Sequence, residues 1–247
     1  MIFPQGSANA LPFVVLVCFL YSVPLATLAS YSDLSGWKLF ATIFVVFFGI
    51  TTFLSQIETV IFLDYLTGII DEEVIPLIFL HGLFTAALSA GGMTCLYRGG
   101  RGTTREVNLG RRILAGVAAI SLIYPLIYIL FGAFVFIPLA GEDFRIYYGD
   151  LQMPAWILPF QVVRGFLWAL LSLLIVKVTL TDVKRTSLLT GTAFSLLMAS
   201  SLLIPSEFMP ERIRYAHFVE IALSNFLLGW ASVRIYSRLD RSLYPDG

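Results

Sequence analysis

Seven runs of about 20 apolar residues, separated by short polar links, constrain this chain more than any other feature. A bilayer core about 30 Å thick is crossed by a helix of that length. The composition agrees, because 58% of the residues are hydrophobic and only 13% are charged. The alternating pattern of membrane β-strands is absent from the sequence. The chain is therefore predicted to be an all-α, polytopic integral membrane protein, with residues 1–247 forming a single transmembrane domain.

Prolines mark several of the predicted span ends, whereas Pro24 and Pro125 fall inside spans, where each would kink a helix and free a carbonyl. The first run could instead be a secretory signal. Residues 1–10 carry no Lys or Arg, however, and the run is long for such a signal, so we predict a retained span. The seven predicted spans cover residues 11–30, 39–65, 74–97, 113–139, 156–180, 187–204 and 213–236.

Lys and Arg are divided unequally between the two alternating sets of links. Twelve lie in one set and three in the other, and Arg164 is left inside a span. Because basic links stay in the cytoplasm, we predict an outside N-terminus and a cytoplasmic C-terminus in a bacterial-type inner membrane, with the basic links near anionic lipids. The twelve are Lys38, Arg98, Arg101, Arg105, Arg111, Arg112, Lys177, Lys184, Arg185, Arg234, Arg238 and Arg241; the three are Arg145, Arg212 and Arg214.

The links with few basic residues carry most of the acidic ones. We call the two ends of the predicted bundle the acidic face and the basic face. A solvated acidic rim is the favoured interpretation, and a weak funnel for cations is the alternative. The acidic residues of these links are Asp71, Glu72, Glu73, Glu142, Asp143, Asp150, Glu207 and Glu211.

Motifs typical of soluble enzymes and nucleotide-binding proteins are missing. The sequence RGGRG at 98–102 lacks the Lys and Ser/Thr of a phosphate loop and the spacing of a dinucleotide fingerprint. HExxH, CxxC and GxSxG do not occur. Topology already explains the basic links, so we predict no nucleic-acid partner.

Glu58, Arg164 and Glu220 are the clear cases of charged residues deep inside predicted spans. Each charge would cost at least about 2.5–3.5 kcal/mol at a helix centre, so such residues normally face protein or water and have partners. At 1.5 Å per residue, all three lie roughly 10–12 Å below the acidic face, as does His81 of the third span. Their polar companions within the spans are Gln56, Gln161, His217, Ser224 and Asn225.

Helical phase groups these residues on single faces. The polar residues of the second span, which include Gln56 and Glu58, lie within about 160° of arc. His217 and Glu220 share one face of the seventh span with Ser224, and Asn225 lies at its edge. On the fifth span, Gln161 and Arg164 share a face with Gly165, which would let a neighbouring helix approach closely.

Polar faces in lipid turn inward, so these helices should surround a common site. We predict one polar pocket among the second, fifth and seventh spans, joined by the third span through His81. Tyr124 and Tyr128 of the fourth span could reach its floor.

The charged residues inside the spans favour a site that exchanges a proton or a cation. Arg164 can bind one carboxylate, and the second must find a histidine, a metal, a ligand or a proton. We therefore predict a small transporter or a proton- or ion-coupled ligand-binding protein. A plain interhelical ion pair, with the amides and hydroxyls as hydrogen-bonding partners, is the structural alternative.

Three further hypotheses remain open, so the sequence does not decide whether the protein is an enzyme. An intramembrane enzyme could act on a lipid-like substrate, with or without a metal bound by His81, His217, Glu58 and Glu220. Haem could use His81 and His217 as axial ligands, although nothing in the sequence requires a cofactor. An assembly subunit could meet a membrane-protein partner through residues 141–154, where Tyr147 and Tyr148 could equally anchor the chain at the membrane interface.

Overall fold

The computed structural model describes residues 10–61, 73–98, 100–149, 154–206 and 209–244. Across these residues the regular structure is helical, and β-pairing is limited to two isolated bridges. Seven of the described helices are long and apolar enough to cross a membrane, as the sequence predicted. In chain order the helices are α1 (Leu11–Tyr31), α2 (Gly36–Val60), α3 (Val74–Leu96), α4 (Arg111–Ala140), the short α5 (Glu142–Tyr148), α6 (Ile157–Val178), α7 (Val183–Leu203) and α8 (Glu211–Leu239).

Each predicted span overlaps one of the seven long helices, and the differences lie at the ends. Helix α7 begins at Val183 rather than at residue 187 because Asp182 caps it, its carboxylate accepting a hydrogen bond from the Arg185 amide at 2.9 Å. Residues 62–65 of the second predicted span lie outside the described residues.

Glycines set how closely the central helices pack. A Cβ on Gly165 of α6 would lie 2.6 Å from the carbonyl oxygen of Ser121 on α4, so the two backbones touch there. Gly191 of α7 and Gly229 of α8 form a similar crossing, where a Cβ on Gly229 would lie 2.6 Å from the Thr190 carbonyl oxygen. Helices α6 and α7 are accordingly the most buried of the seven, whereas α1 and α3 lie at the periphery.

The basic links and the C-terminal segment meet at one end of the bundle. The Asp33 carboxylate accepts hydrogen bonds from the amides of Arg101 and Thr103. Arg105 donates to the carbonyls of Thr179, Thr181 and Leu243, and its guanidinium lies 4.1 Å from the centre of the Tyr244 ring. Three links and the segment after α8 are thus fastened together at the basic face.

Candidate functional site

The ion pair between Arg164 and Glu58 is the centre of the site. Arg164 is almost fully buried on α6, and its Nη1 lies 2.7 Å from Oε2 of Glu58 on α2. The same nitrogen donates to Oε1 of Gln161 at 3.0 Å, and Nη2 donates to the Leu54 carbonyl at 3.2 Å. Of the two carboxylates predicted to compete for Arg164, Glu58 is therefore the partner.

A change of helix type in α2 lies beside this ion pair. Residues Gly49–Leu54 form a π-helical segment, and α-helix resumes at Ser55–Ile61. Such segments are rare and occur frequently at functional sites. The Leu54 carbonyl at the end of this segment is the one that accepts from Arg164. The guanidinium thus bonds to backbone and side chain of the same stretch of α2.

The two oxygens of Glu58 have different environments. Oε2 is held by Arg164, whereas the contacts of Oε1 are longer, at 3.4 Å to Nε2 of Gln161 and 3.5 Å to the Tyr128 hydroxyl. The Glu58 side chain is 30% exposed and that of Arg164 only 3%. One carboxylate oxygen of the pair is therefore weakly held and can be reached from outside the protein core.

Glu220 of α8 forms the second half of the site. It is 9% exposed, and its nearest ionisable neighbour is His217, whose Nδ1 lies 3.6 Å from its Oε2. That distance is too long for a hydrogen bond. Among the described residues we find no hydrogen-bond donor to the Glu220 carboxylate. A buried carboxylate with so few partners is expensive unless it binds a proton or a cation.

The short helix α5 covers His217. The Tyr148 hydroxyl lies 2.9 Å from Nε2 of His217, and the Phe136 ring of α4 stacks on the imidazole at 4.0 Å between centres. Phe144 and Tyr148 pack edge-on against Phe136. The imidazole is thus fixed between an aromatic ring, a hydroxyl and the Glu220 carboxylate.

Three tyrosine hydroxyls connect the two halves electrostatically. Those of Tyr124, Tyr128 and Tyr148 each lie within reach of the charges of both Glu58 and Glu220. Burial raises the pKa of Tyr148, and the neighbouring Tyr147 and both carboxylates raise it further. We call Glu58, Arg164, Gln161, Glu220 and His217, with these three tyrosines, the polar cluster.

Some of the predicted residues lie apart from the polar cluster. The His81 side chain is exposed on α3, and its hydrogen-bonding neighbour is Thr85 of the same helix. Gln56 donates to the adjacent Ser55. Ser224 and Asn225 are buried further along α8, where both donate to the Ile221 carbonyl. The described contacts therefore join α2, α4, α5, α6 and α8 at the site, without α3.

The residues predicted as weak metal ligands do not converge. Among the described residues, no group of three or more His, Cys, Asp and Glu side chains is placed to hold a metal ion. His81 is exposed on α3 beside Thr85, whereas His217 is enclosed by Phe136 and Tyr148. A Cβ on Gly82 would collide with the Thr52 side chain, so the space beside His81 is filled by α2.

Sequence reasoning missed the role of α5. It assigned Tyr147 and Tyr148 to a partner interface or the membrane surface, whereas the Tyr148 hydroxyl points to His217. Phe144, Tyr147 and Tyr148 are spaced i, i+3 and i+4, which is the pattern of a helix with one apolar face. That spacing could have indicated a helix packed on the bundle. Phe136, in a continuous apolar run, gave no comparable signal.

No family model, curated protein or solved structure matches the chain. The polar cluster is therefore the feature of this chain that bears on its function.

Proposed function

We propose that this protein is a small transporter, or a proton- or ion-coupled binding protein, whose solute and coupling ion meet at the polar cluster. The observation that carries the proposal is the buried Glu220 carboxylate, which has His217 at 3.6 Å and no closer polar partner among the described residues. A group in this situation exchanges readily between a protonated form and a form paired with a cation.

Because Arg164 pairs with Glu58, the Glu220 carboxylate is available to bind a proton or a solute. Arg164 stays protonated and already binds Glu58, Gln161 and the Leu54 carbonyl. It therefore supplies little compensation for a second carboxylate. A proton or a solute that binds at Glu220 supplies the missing positive charge.

Access from the acidic face supports this function. A cleft of about 600 Å³ opens between α5 and α8, lined by residues that include Asp143, Glu211, Tyr215 and Ala216. The residues that line the cleft include sequence neighbours of the polar cluster, such as Ala216 beside His217, but no member of the cluster itself. We propose that a solute approaches the polar cluster from this cleft.

The protein is proposed to have its basic face in the cytoplasm, with an outside N-terminus, in a bacterial-type inner membrane. The gathering of the basic links at one end supports this orientation, because basic residues are retained on the cytoplasmic side. Anionic lipids would then surround the basic face. The polar cluster would lie in the outer half of the membrane.

A structural ion pair is the competing explanation, and Glu220 distinguishes the two. Arg164 and Glu58 have the contacts that a structural pair requires, so their mutation cannot separate the explanations. Glu220 lacks such contacts. Glu220→Gln should therefore change function while the amount of folded protein remains near that of the unmodified chain.

The experiment uses everted membrane vesicles acidified by respiration, with a fluorescent dye that reports the proton gradient. A panel of amino acids, sugars, organic acids and organic amines is added in turn. We expect at least one solute to dissipate the gradient in vesicles with the unmodified protein, and the effect to be lost with Glu220→Gln. Glu106→Gln, the same change in an exposed residue of the basic face, is the matched control.

Two results would contradict the proposal. One is that no solute of the panel changes the gradient. The other is an unchanged solute effect in Glu220→Gln vesicles that contain as much folded protein, measured by size-exclusion chromatography, as the Glu106→Gln vesicles.

A further inference from the structure

The polar cluster holds more negative than positive charge. It contains the carboxylates of Glu58 and Glu220 and the guanidinium of Arg164, and the imidazole of His217 adds no charge when neutral. Because these groups lie at membrane depth, an excess negative charge is costly until a cation compensates it. The charge of the site therefore favours a positively charged ligand.

The arginine is poorly placed to bind an anionic solute. Both Nη atoms of Arg164 already donate to protein acceptors, namely Glu58, Gln161 and the Leu54 carbonyl. The Nε of Arg164 has no hydrogen-bond partner among the described residues, but an anion bound there would place a third negative group beside Glu58 and near Glu220. The arrangement thus disfavours carboxylate or phosphate ligands.

Several aromatic residues lie near the acidic groups. Tyr124 and Tyr128 of α4 and Tyr148 of α5 lie within electrostatic reach of both carboxylates, and Phe136 flanks His217. Aromatic faces attract cations, most strongly where water is excluded. A buried carboxylate beside such rings is the chemistry that recognises ammonium groups.

The approach to the site, like the site itself, carries more negative than positive charge. The cleft between α5 and α8 is lined by the acidic residues Asp143 and Glu211 and by one basic residue, Arg212, so its charged residues are net negative. Acidic residues around an opening raise the local concentration of cations. The weak cation funnel considered from the sequence would lead to the polar cluster.

We infer that the solute is a small organic cation whose ammonium group binds between Glu220 and the weakly held Oε1 of Glu58, against the rings of Tyr128 and Tyr148. This inference rests on the proposed function and specifies its substrate class. The ammonium group takes the position that a proton otherwise takes on Glu220, so cation and proton compete.

Several ionisable groups face Glu220 in this arrangement. His217 lies on the same helix, Tyr148 on α5, Tyr124 and Tyr128 on α4, and the Glu58–Arg164 pair joins α2 to α6. Because the cation and a proton compete for Glu220, we expect cation binding to weaken as the pH falls.

Binding to the purified full-length protein is measured by isothermal titration calorimetry. The probes are methylammonium and tetramethylammonium, neutral tert-butanol as a match in shape for the latter, and acetate as an anion. We expect 1:1 binding of at least one ammonium probe, no binding of tert-butanol or acetate, and affinity at least about tenfold weaker in Glu220→Gln. Glu106→Gln should bind as the unmodified protein does.

The inference is overturned if acetate or tert-butanol binds as tightly as the ammonium probes, if neither ammonium probe binds, or if Glu220→Gln leaves their affinity unchanged. The vesicle experiment separates this failure from failure of the proposed function. Proton movement driven by a neutral or anionic solute would keep the function and reject the cation. Ammonium binding without solute-driven proton movement would keep the ligand class and reject coupled transport.

Discussion

At the scale of single residues, the two members of the central ion pair should respond unequally to mutation. Arg164 is nearly fully buried and stays charged, whereas the Glu58 side chain is 30% exposed. Glu58→Gln leaves a buried guanidinium uncompensated, and we expect a loss of about 3–5 kcal/mol of stability. Arg164→Gln leaves a carboxyl group that can become neutral, so its loss should be smaller. Thermal unfolding of the purified variants in detergent gives the comparison.

The double variant Glu58→Gln/Arg164→Gln provides the control for this asymmetry. It removes both charges and keeps amides that can hydrogen-bond, so it should recover part of the stability that Glu58→Gln loses. A double variant less stable than either single variant, or a Glu58→Gln protein as stable as the unmodified chain, would show that the pair is not the buried, charge-compensated contact described above.

The sequence predicted some of these residue-level contacts and missed others for a physical reason. Depth and helical phase brought Glu58, Arg164 and Gln161 together because both quantities follow from regular helix geometry. They also grouped His81 with these residues, but the His81 side chain is exposed on α3. Depth does not specify which side of a helix faces the rest of the bundle. Few residues of helix α3 are buried, so burial imposes little pattern on its sequence from which that side could be predicted.

At the scale of helices, close backbone contact distinguishes two glycines. A Cβ on Gly165 would lie 2.6 Å from the Ser121 carbonyl oxygen, whereas one on Gly92 of α3 would meet no heavy atom within 4 Å. We expect Gly165→Ala to cost about 1–3 kcal/mol by separating α4 from α6. Gly92→Ala, the matched control, should be neutral or stabilising by up to about 1 kcal/mol. Equal melting temperatures for the two variants would contradict this packing.

The link between α3 and α4 should depend on the Asp33 carboxylate. Hydrogen bonds from the backbone amide of Arg101 and from Thr103 hold the pKa of Asp33 below its ordinary value of 3.8. The stabilisation is therefore fully present above pH 3.8 and is lost as the pH falls through the lower pKa of the folded state. We expect Asp33→Ala to speed amide hydrogen exchange at Arg101 and Thr103 at neutral pH.

Asp182→Ala is the control for this link, because Asp182 caps α7 through the Arg185 amide and leaves residues 101–103 untouched. In the unmodified protein, the amide hydrogen exchange of Arg101 and Thr103 is normalised to the intrinsic rate at each pH. This normalised rate should rise only in the acid range. Asp33 does not hold this link if the amides of residues 101–103 exchange equally fast in both variants.

Helix positions were predictable because hydrophobic length alone specifies them. The π-helical segment at Gly49–Leu54 was not, since its sequence continues an apolar run and the segment is stabilised through contacts such as that of Leu54 with Arg164, 110 residues away. Helix α5 was missed for a related reason. It has seven residues, too few to form alone, and it is stabilised by packing on Phe136 and His217.

At the scale of the whole molecule, the two ends of the bundle have different structures. The basic face is fastened by Asp33 and Arg105, which join three links and the C-terminal segment. At the acidic face, α5 lies over His217 and a cleft opens beside it.

This difference leads to a prediction about orientation. If the basic face is cytoplasmic, a green fluorescent protein fused after residue 244 should fluoresce, and alkaline phosphatase fused there should be inactive. Alkaline phosphatase inserted after Gly149 should be active, because that position follows α5 on the acidic face. The reverse pattern would place the polar cluster in the inner half of the membrane, and its solute would then be drawn from the cytoplasm.

Replacing Arg111 and Arg112 by Gln, on the exposed start of α4, should weaken the preferred orientation, whereas the same replacement of Arg145 should leave it unchanged.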